Sequence, residues 1–112
     1  MTEAEGCALL LARFSGAGYA ITSDFHFHEG DIEVDLDGWD AVARVGYEYI
    51  TREAGDDRQF DAHTLERFEK RMERGELFVL LIDERDAVTA DVLELAAKGF
   101  LREVASRRTG PR

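Results

Sequence analysis

The residues best suited to chemistry fall in one short stretch: Asp24, His26 and His28, then Asp31, Glu33 and Asp35. A spacing of two along an extended chain puts side chains on one face. Carboxylates beside imidazoles suit a divalent transition metal. Asp24, His26, His28 and Asp35 therefore form a candidate metal set, with Glu33 beside it. Like charges placed across a ladder, as Asp24 and Asp35 would be, are unfavourable unless a cation lies between them. The same region supports a second chemistry. Asp24, Asp31, Glu33, Asp35, Asp37 and Asp40 make an acidic surface, and Trp39 within it supplies an aromatic anchor for a basic protein partner. A solvated face with His26–Glu33 and Glu33–Arg44 pairs, and Trp39 folded back on the sheet, accounts for these residues without any ligand.

The elements that position these residues follow from periodicity. Residues 19–28 alternate, with Tyr19, Ile21, Phe25 and Phe27 on one side and Thr22, Asp24, His26 and His28 on the other. Residues 31–37 alternate likewise through Ile32, Val34 and Leu36. Period two marks strands with one buried face. Glu29-Gly30 reads as the two-residue turn between them, because Gly accepts positive φ. That turn pairs Phe27 with Ile32, His26 with Glu33, Phe25 with Val34 and Asp24 with Asp35. Asp37-Gly38-Trp39-Asp40 reads as the next turn, and 41–50 as a third strand with Ala43, Val45, Tyr47 and Tyr49 on its apolar face. A turn centred on Gly38-Trp39 sets Arg44 opposite Glu33.

Helices flank this meander. Thr2 and Glu5 have capping-box spacing, and Cys7, Leu10, Leu11 and Phe14 make an apolar stripe, so 2–15 reads as a helix. Residues 51–60 read as a loop. Asp61 caps a helix to about Arg74 that carries Leu65, Phe68 and Met72. Residues 77–82 are apolar without alternation, the pattern of a strand buried on both faces, which places it inside the sheet. Thr89 caps a last helix to about Ser106. The fold class is therefore α+β (mixed α/β): a single-layer four-stranded sheet in the order α-β-β-β-α-β-α. An antiparallel meander and one buried strand are packed by three helices. Residues 1–106 form a single globular domain, and 107–112 a flexible basic tail.

This element order resembles the layout of the PD-(D/E)xK nucleases, which place acids on the second and third strands. The resemblance covers the order of elements and assigns those places to Asp31 or Asp35 and to Glu48. The family's lysine, two residues after the third-strand acid, has no counterpart here: the triplet is Glu48-Tyr49-Ile50, and the only lysines are Lys70 and Lys98. The resemblance thus implies a degenerate, inactive domain. The string Asp24-Phe25-His26-Phe27-His28 also resembles the Asp-x-His-x-His opening of some metal-dependent hydrolases, whose larger barrel this length cannot build. Among the remaining candidates, Cys7 sits on a core stripe with no activating neighbour, and the glycines match no phosphate loop. No catalytic residue is assigned.

Composition narrows the classes. The net charge is −10, and residues 19–64 hold twelve acids against three arginines. Such a surface repels nucleic acid and anionic membranes. No apolar run reaches a membrane-spanning length, no secretory leader is evident, and the lone Cys7 forms no internal disulfide, so the expected compartment is the cytoplasm. The leading expectation is a non-enzymatic, acidic binding or regulatory protein, inhibitor- or immunity-like, monomeric or homodimeric, with a basic protein partner and no cofactor. The alternatives are a metal-binding module or metal-dependent hydrolase built on Asp24, His26, His28, Glu33 and Asp35, and the degenerate nuclease-like domain.

Overall fold

A computed structural model describes residues 1–109. Its elements are α1 (Glu3–Gly16), β1 (Thr22–Glu29), β2 (Ile32–Asp40), β3 (Val45–Ile50), α2 (Asp56–Gln59), α3 (Ala62–Glu73), β4 (Phe78–Asp83) and α4 (Ala90–Thr109). The expected α-β-β-β-α-β-α order holds, with the short α2 added in the stretch read as a loop. One sheet of order β1-β2-β3-β4 joins an antiparallel meander to β4, which runs parallel to β3. The capping box forms as read, Glu5 N–H donating to Thr2 Oγ1 and Thr2 N–H to Glu5 Oε1.

The sheet buries both faces of its β3–β4 half. On one side α1 and α4 cover Val45, Tyr47 and Tyr49 with Leu10, Phe14 and Leu93. On the other, α3 brings Phe68 against Phe27, Trp39, Leu77 and Val79. Both faces of β4 are thus covered, but the strand lies at the sheet edge, not inside it. Helices on two faces produce the same continuous apolar run as neighbours on two sides, so burial alone did not fix its place.

Three further expectations need correction. The first hairpin turns at Gly30-Asp31, with Gly30 at φ +59°, and pairs Phe27 with Val34 and His26 with Asp35. The register is two residues from the expected one. A shift of two keeps every side chain on its own face, so the apolar pattern fits both registers. Strand β2 continues through Gly38-Trp39-Asp40, and the turn follows at 41–44, where Asp40 Oδ1 accepts from the N–H groups of Val42 and Ala43. Arg44 consequently reaches Glu29 (2.8 and 3.0 Å), not Glu33. The last helix extends through Thr109, and Arg107 donates to the Met72 and Glu73 carbonyls that end α3. Residues 107–109 are therefore helical. The remainder of the expected tail lies outside the described residues.

Candidate metal centre

The meander comes apart at one place. β2 pairs with β3 at Gly38–Tyr47, Trp39–Gly46 and Asp40–Val45, and the pairing stops there. Beyond it, side chains take over the ladder's hydrogen bonds. Asp37 N–H donates to Glu48 Oε1 (2.8 Å), and Tyr49 N–H donates to Asp37 Oδ2 (2.8 Å). Asp35 N–H donates to Gln59 Oε1 of α2, and Thr51 N–H to Asp56 Oδ2 at its start. The two strands thus form a fork, with acid side chains in its mouth and α2 wedged beyond them. Backbone groups left unpaired inside a protein must find partners, and here carboxylates supply them.

Three carboxylates converge in the fork. One oxygen each from Asp37, Glu48 and Asp56 lies within 4.8 Å of the others. Oxygens held 2.3–2.6 Å from one hard cation cannot be more than about 5 Å apart, so the spacing is compatible with a ligand set. Glu48 has no exposed surface. Its Oε1 accepts from Asp37 N–H, and its Oε2 meets no donor, while a protonated Glu48 carboxyl can share its proton with the Asp37 carboxylate. An unsatisfied buried carboxylate oxygen is costly, and native proteins rarely keep one without a reason. From the first two turns of α1, Glu3 and Cys7 approach Asp37 and form a second trio with it.

The electrostatics agree with the geometry. Burial, then the charges of Asp37 and Asp56, pushes the Glu48 carboxyl up to about 11. Burial also raises Asp37 and, with the help of Asp37, Glu3. The Cys7 thiol moves upward for the same reasons, which leaves it protonated at neutral pH. The anionic form of each of these groups is penalised where it stands, and a divalent cation would reverse that penalty. All-oxygen donors favour Mg²⁺, Mn²⁺ or Ca²⁺ over softer ions.

The hairpin residues expected to bind metal are arranged differently. His26 Nδ1 meets Asp35 Oδ1 and Nε2 meets Glu33 Oε2, each at 2.8 Å, while His28 lies 3.7 Å from Glu33. The two carboxylates take opposite edges of one ring, so they share no common point with it. Asp35, then Glu33, holds the His26 imidazolium above its ordinary value. Asp24 stands at φ +53° where the β1–β2 ladder is interrupted, and Asp35 pairs with His26, not with Asp24.

The residues expected to form an acidic docking surface divide between solvent and interior. Asp24, Asp31, Glu33 and Asp35 are exposed. Asp37 lies in the fork. Trp39 is 2% exposed, packed edge-on against Phe27 with the Arg44 guanidinium over it, so it is not a rim anchor. Asp40 is buried, tying the 41–44 turn and Ala20 N–H.

Of the fork residues, the sequence marks Glu48 only as a third-strand acid and places Asp56 in the 51–60 loop. The available signal was Glu48 itself, the one acid in a strand otherwise made of Val, Gly, Tyr and Ile. Comparisons with protein-family models, with curated proteins and with solved structures find no match to this chain.

Proposed function

We propose that this protein is a divalent-cation-binding domain whose ion sits between Asp37, Glu48 and Asp56. The observation that carries this reading is the fully buried Glu48 Oε2, which meets no donor beside two further carboxylates. The element order resembles the PD-(D/E)xK layout, and the acids of β2 and β3 that meet in the fork are Asp37 and Glu48, so Asp37 replaces Asp31 or Asp35 in that comparison. Ile50 stands where that family has lysine, which supports binding without hydrolysis.

Calorimetry and thermal melting with Mn²⁺, Mg²⁺ and Ca²⁺ test the proposal. At a hundredfold excess over Kd, a bound ion stabilises by about 2.7 kcal/mol, or roughly 10 °C in Tm for a domain of this size. Binding should release a proton, because Glu48 holds one beforehand. Asp37→Asn should abolish the shift. No shift with any of the three ions at millimolar concentration would sink the proposal.

A second reading keeps the basic-partner expectation, supported by four exposed carboxylates on the outer hairpin: Asp24, Asp31, Glu33 and Asp35. Association with a polybasic peptide should weaken steeply with salt and weaken further in a Glu33→Gln/Asp35→Asn double variant. Equal binding by the two proteins would remove this reading.

A further inference from the structure

One ligand of the proposed cation site does not belong to the sheet. Asp37 and Glu48 stand on β2 and β3, whereas Asp56 opens α2, in the 52–59 segment at the mouth of the fork. Buried residues hold this segment at both ends: Thr51 on one side, and on the other Phe60, whose ring stacks on Phe68 at 6.3 Å. Between these anchors no residue is buried. Helix α2 is four residues long and has no side-chain cap. So short a helix does not hold itself together in water, and its position depends on what it touches. Gly55 precedes it at φ +76°, a conformation glycine adopts without steric cost, so the chain turns freely there.

Polar contacts at its two ends hold α2 against the fork. At its start, Asp56 Oδ2 accepts from Thr51 N–H at 3.2 Å and lies 3.5 Å from Thr51 Oγ1. At its end, Gln59 makes a two-point clip on β2. Asp35 N–H donates to Gln59 Oε1 at 2.9 Å, and Gln59 Nε2 donates to Asp35 Oδ2 at 3.1 Å. The clip stands two residues before Asp37 on the same strand, so it sets how α2 approaches that ligand. Charge opposes the approach. Burial first, then neighbouring acids that include Asp56, raises the Glu48 and Asp37 carboxyls, and the same repulsion drives Asp56 away from them. A divalent ion between the three reverses the sign of that interaction.

We propose that residues 52–59 are an ion-operated strap: a divalent cation draws Asp56 toward Asp37 and Glu48 and closes α2 on the fork, with Gln59 as the residue that positions it. The inference rests on the cation site proposed above. The Gln59 side chain bonds Asp35 and none of the three ligands, so it acts through the placement of α2. The closed strap has its own backbone hydrogen bonds. Asp56 N–H donates to Thr51 O, Arg58 N–H to Gly55 O and Phe60 N–H to Asp56 O, at 3.1, 3.2 and 2.9 Å. These three amides report on closure, because a segment that opens locally loses their protection while the rest of the fold stays intact.

Amide hydrogen exchange and calorimetry with Mn²⁺ test the strap. In EDTA the Asp56, Arg58 and Phe60 amides should exchange at least about tenfold faster than those of Gly46 and Tyr47, which lie between two paired strands. Saturating Mn²⁺ should slow the three strap amides. Gln59 is exposed, so Gln59→Ala should keep its melting temperature in EDTA. Its Kd for Mn²⁺ should rise about tenfold, as when a residue supporting a metal ligand is removed. A purely structural Gln59 would do the reverse, lowering the melting temperature in EDTA and leaving Kd unchanged. Strap amides as slow in EDTA as the β3 amides overturn the inference, as does Mn²⁺ binding that leaves them unslowed or an unchanged Kd in Gln59→Ala. In each of these results the cation site stands. Failure of Mn²⁺ to bind at all removes the cation site, and the strap with it.

Discussion

Glu48 is where sequence and environment disagree most. Its carboxyl is raised to about 11 by burial and by Asp37 and Asp56, whereas an unfolded chain would hold it near 4.5. Between those values the folded state binds the extra proton and the unfolded state does not. Without a bound ion, stability is therefore greatest at the acid end of that window and declines as pH rises through it. His26, raised by Asp35 and then Glu33, adds a decline of the same sign above its ordinary value. Glu29, lowered to about 2 by Arg44 and then Arg71, has the opposite slope, but only where carboxylates begin to protonate. Glu48→Gln separates the contributions, since it keeps the acceptor for Asp37 N–H and removes the titration. Melted in EDTA, the variant should exceed wild type by about 1–3 kcal/mol at pH 8 and converge with it toward pH 5. A variant less stable than wild type at pH 8 would mean that the native state needs the ionised carboxylate even without metal. The exposed carboxylates were legible one by one from their alternation. The fork was not, because whether an acid on a strand is solvated or sealed depends on which elements close over it. Here those are the first two turns of α1 and the short α2, and neither is in register with the strands in sequence.

At the scale of elements, alternation identified the faces of β1 and β2, and the face assignments hold: Phe27, Ile32, Val34 and Leu36 are buried, and His28, Glu33 and Asp35 are exposed. It could not distinguish registers two residues apart, and Gly30 serves as the first or the second residue of a tight turn equally well. The β2–β3 connection was misplaced for a related reason. Gly38 reads as a turn residue, yet it lies inside a strand because close packing requires it. A Cβ there would come within 2.3 Å of the Tyr47 ring, and one on Gly46 within 2.3 Å of Gly38 O and 2.8 Å of Trp39. Both glycines let the strands close tightly just before they diverge at Asp37, so they set the geometry of the fork. Gly46→Ala collides with backbone, which cannot rotate away as a side-chain tip can. It should cost about 2–3 kcal/mol in urea unfolding, and it should weaken any Mn²⁺ response, because shifting β2 moves Asp37 relative to Glu48. An unchanged urea midpoint would show that the contact relaxes freely.

For the molecule as a whole, charge is the dominant long-range term. Ten net negative charges occupy a body of 13.2 Å radius of gyration, whereas the unfolded chain expands to roughly 34 Å. In water without screening, the compact state carries an excess repulsion of about a few kcal/mol over the expanded one. Working against salt are exposed pairs such as Lys70–Glu66 and Arg67–Asp31, each worth at most about 1 kcal/mol and weakened by screening. The bidentate contacts of Arg44 with Glu29 and Arg52 with Asp83 are less exposed and less screened. Repulsion wins this comparison, because it involves every acid while each pair involves one. Urea unfolding at low protein concentration should therefore show stability rising as NaCl is added, with most of the gain complete once the screening length falls to about 8 Å near physiological salt. The same titration with MgCl₂ at matched ionic strength distinguishes a diffuse atmosphere from a seated ion. Screening depends on ionic strength alone, so equal curves would mean that the acids act only as a field. A larger gain with MgCl₂ that disappears in Asp37→Asn would place the excess in the fork between β2 and β3.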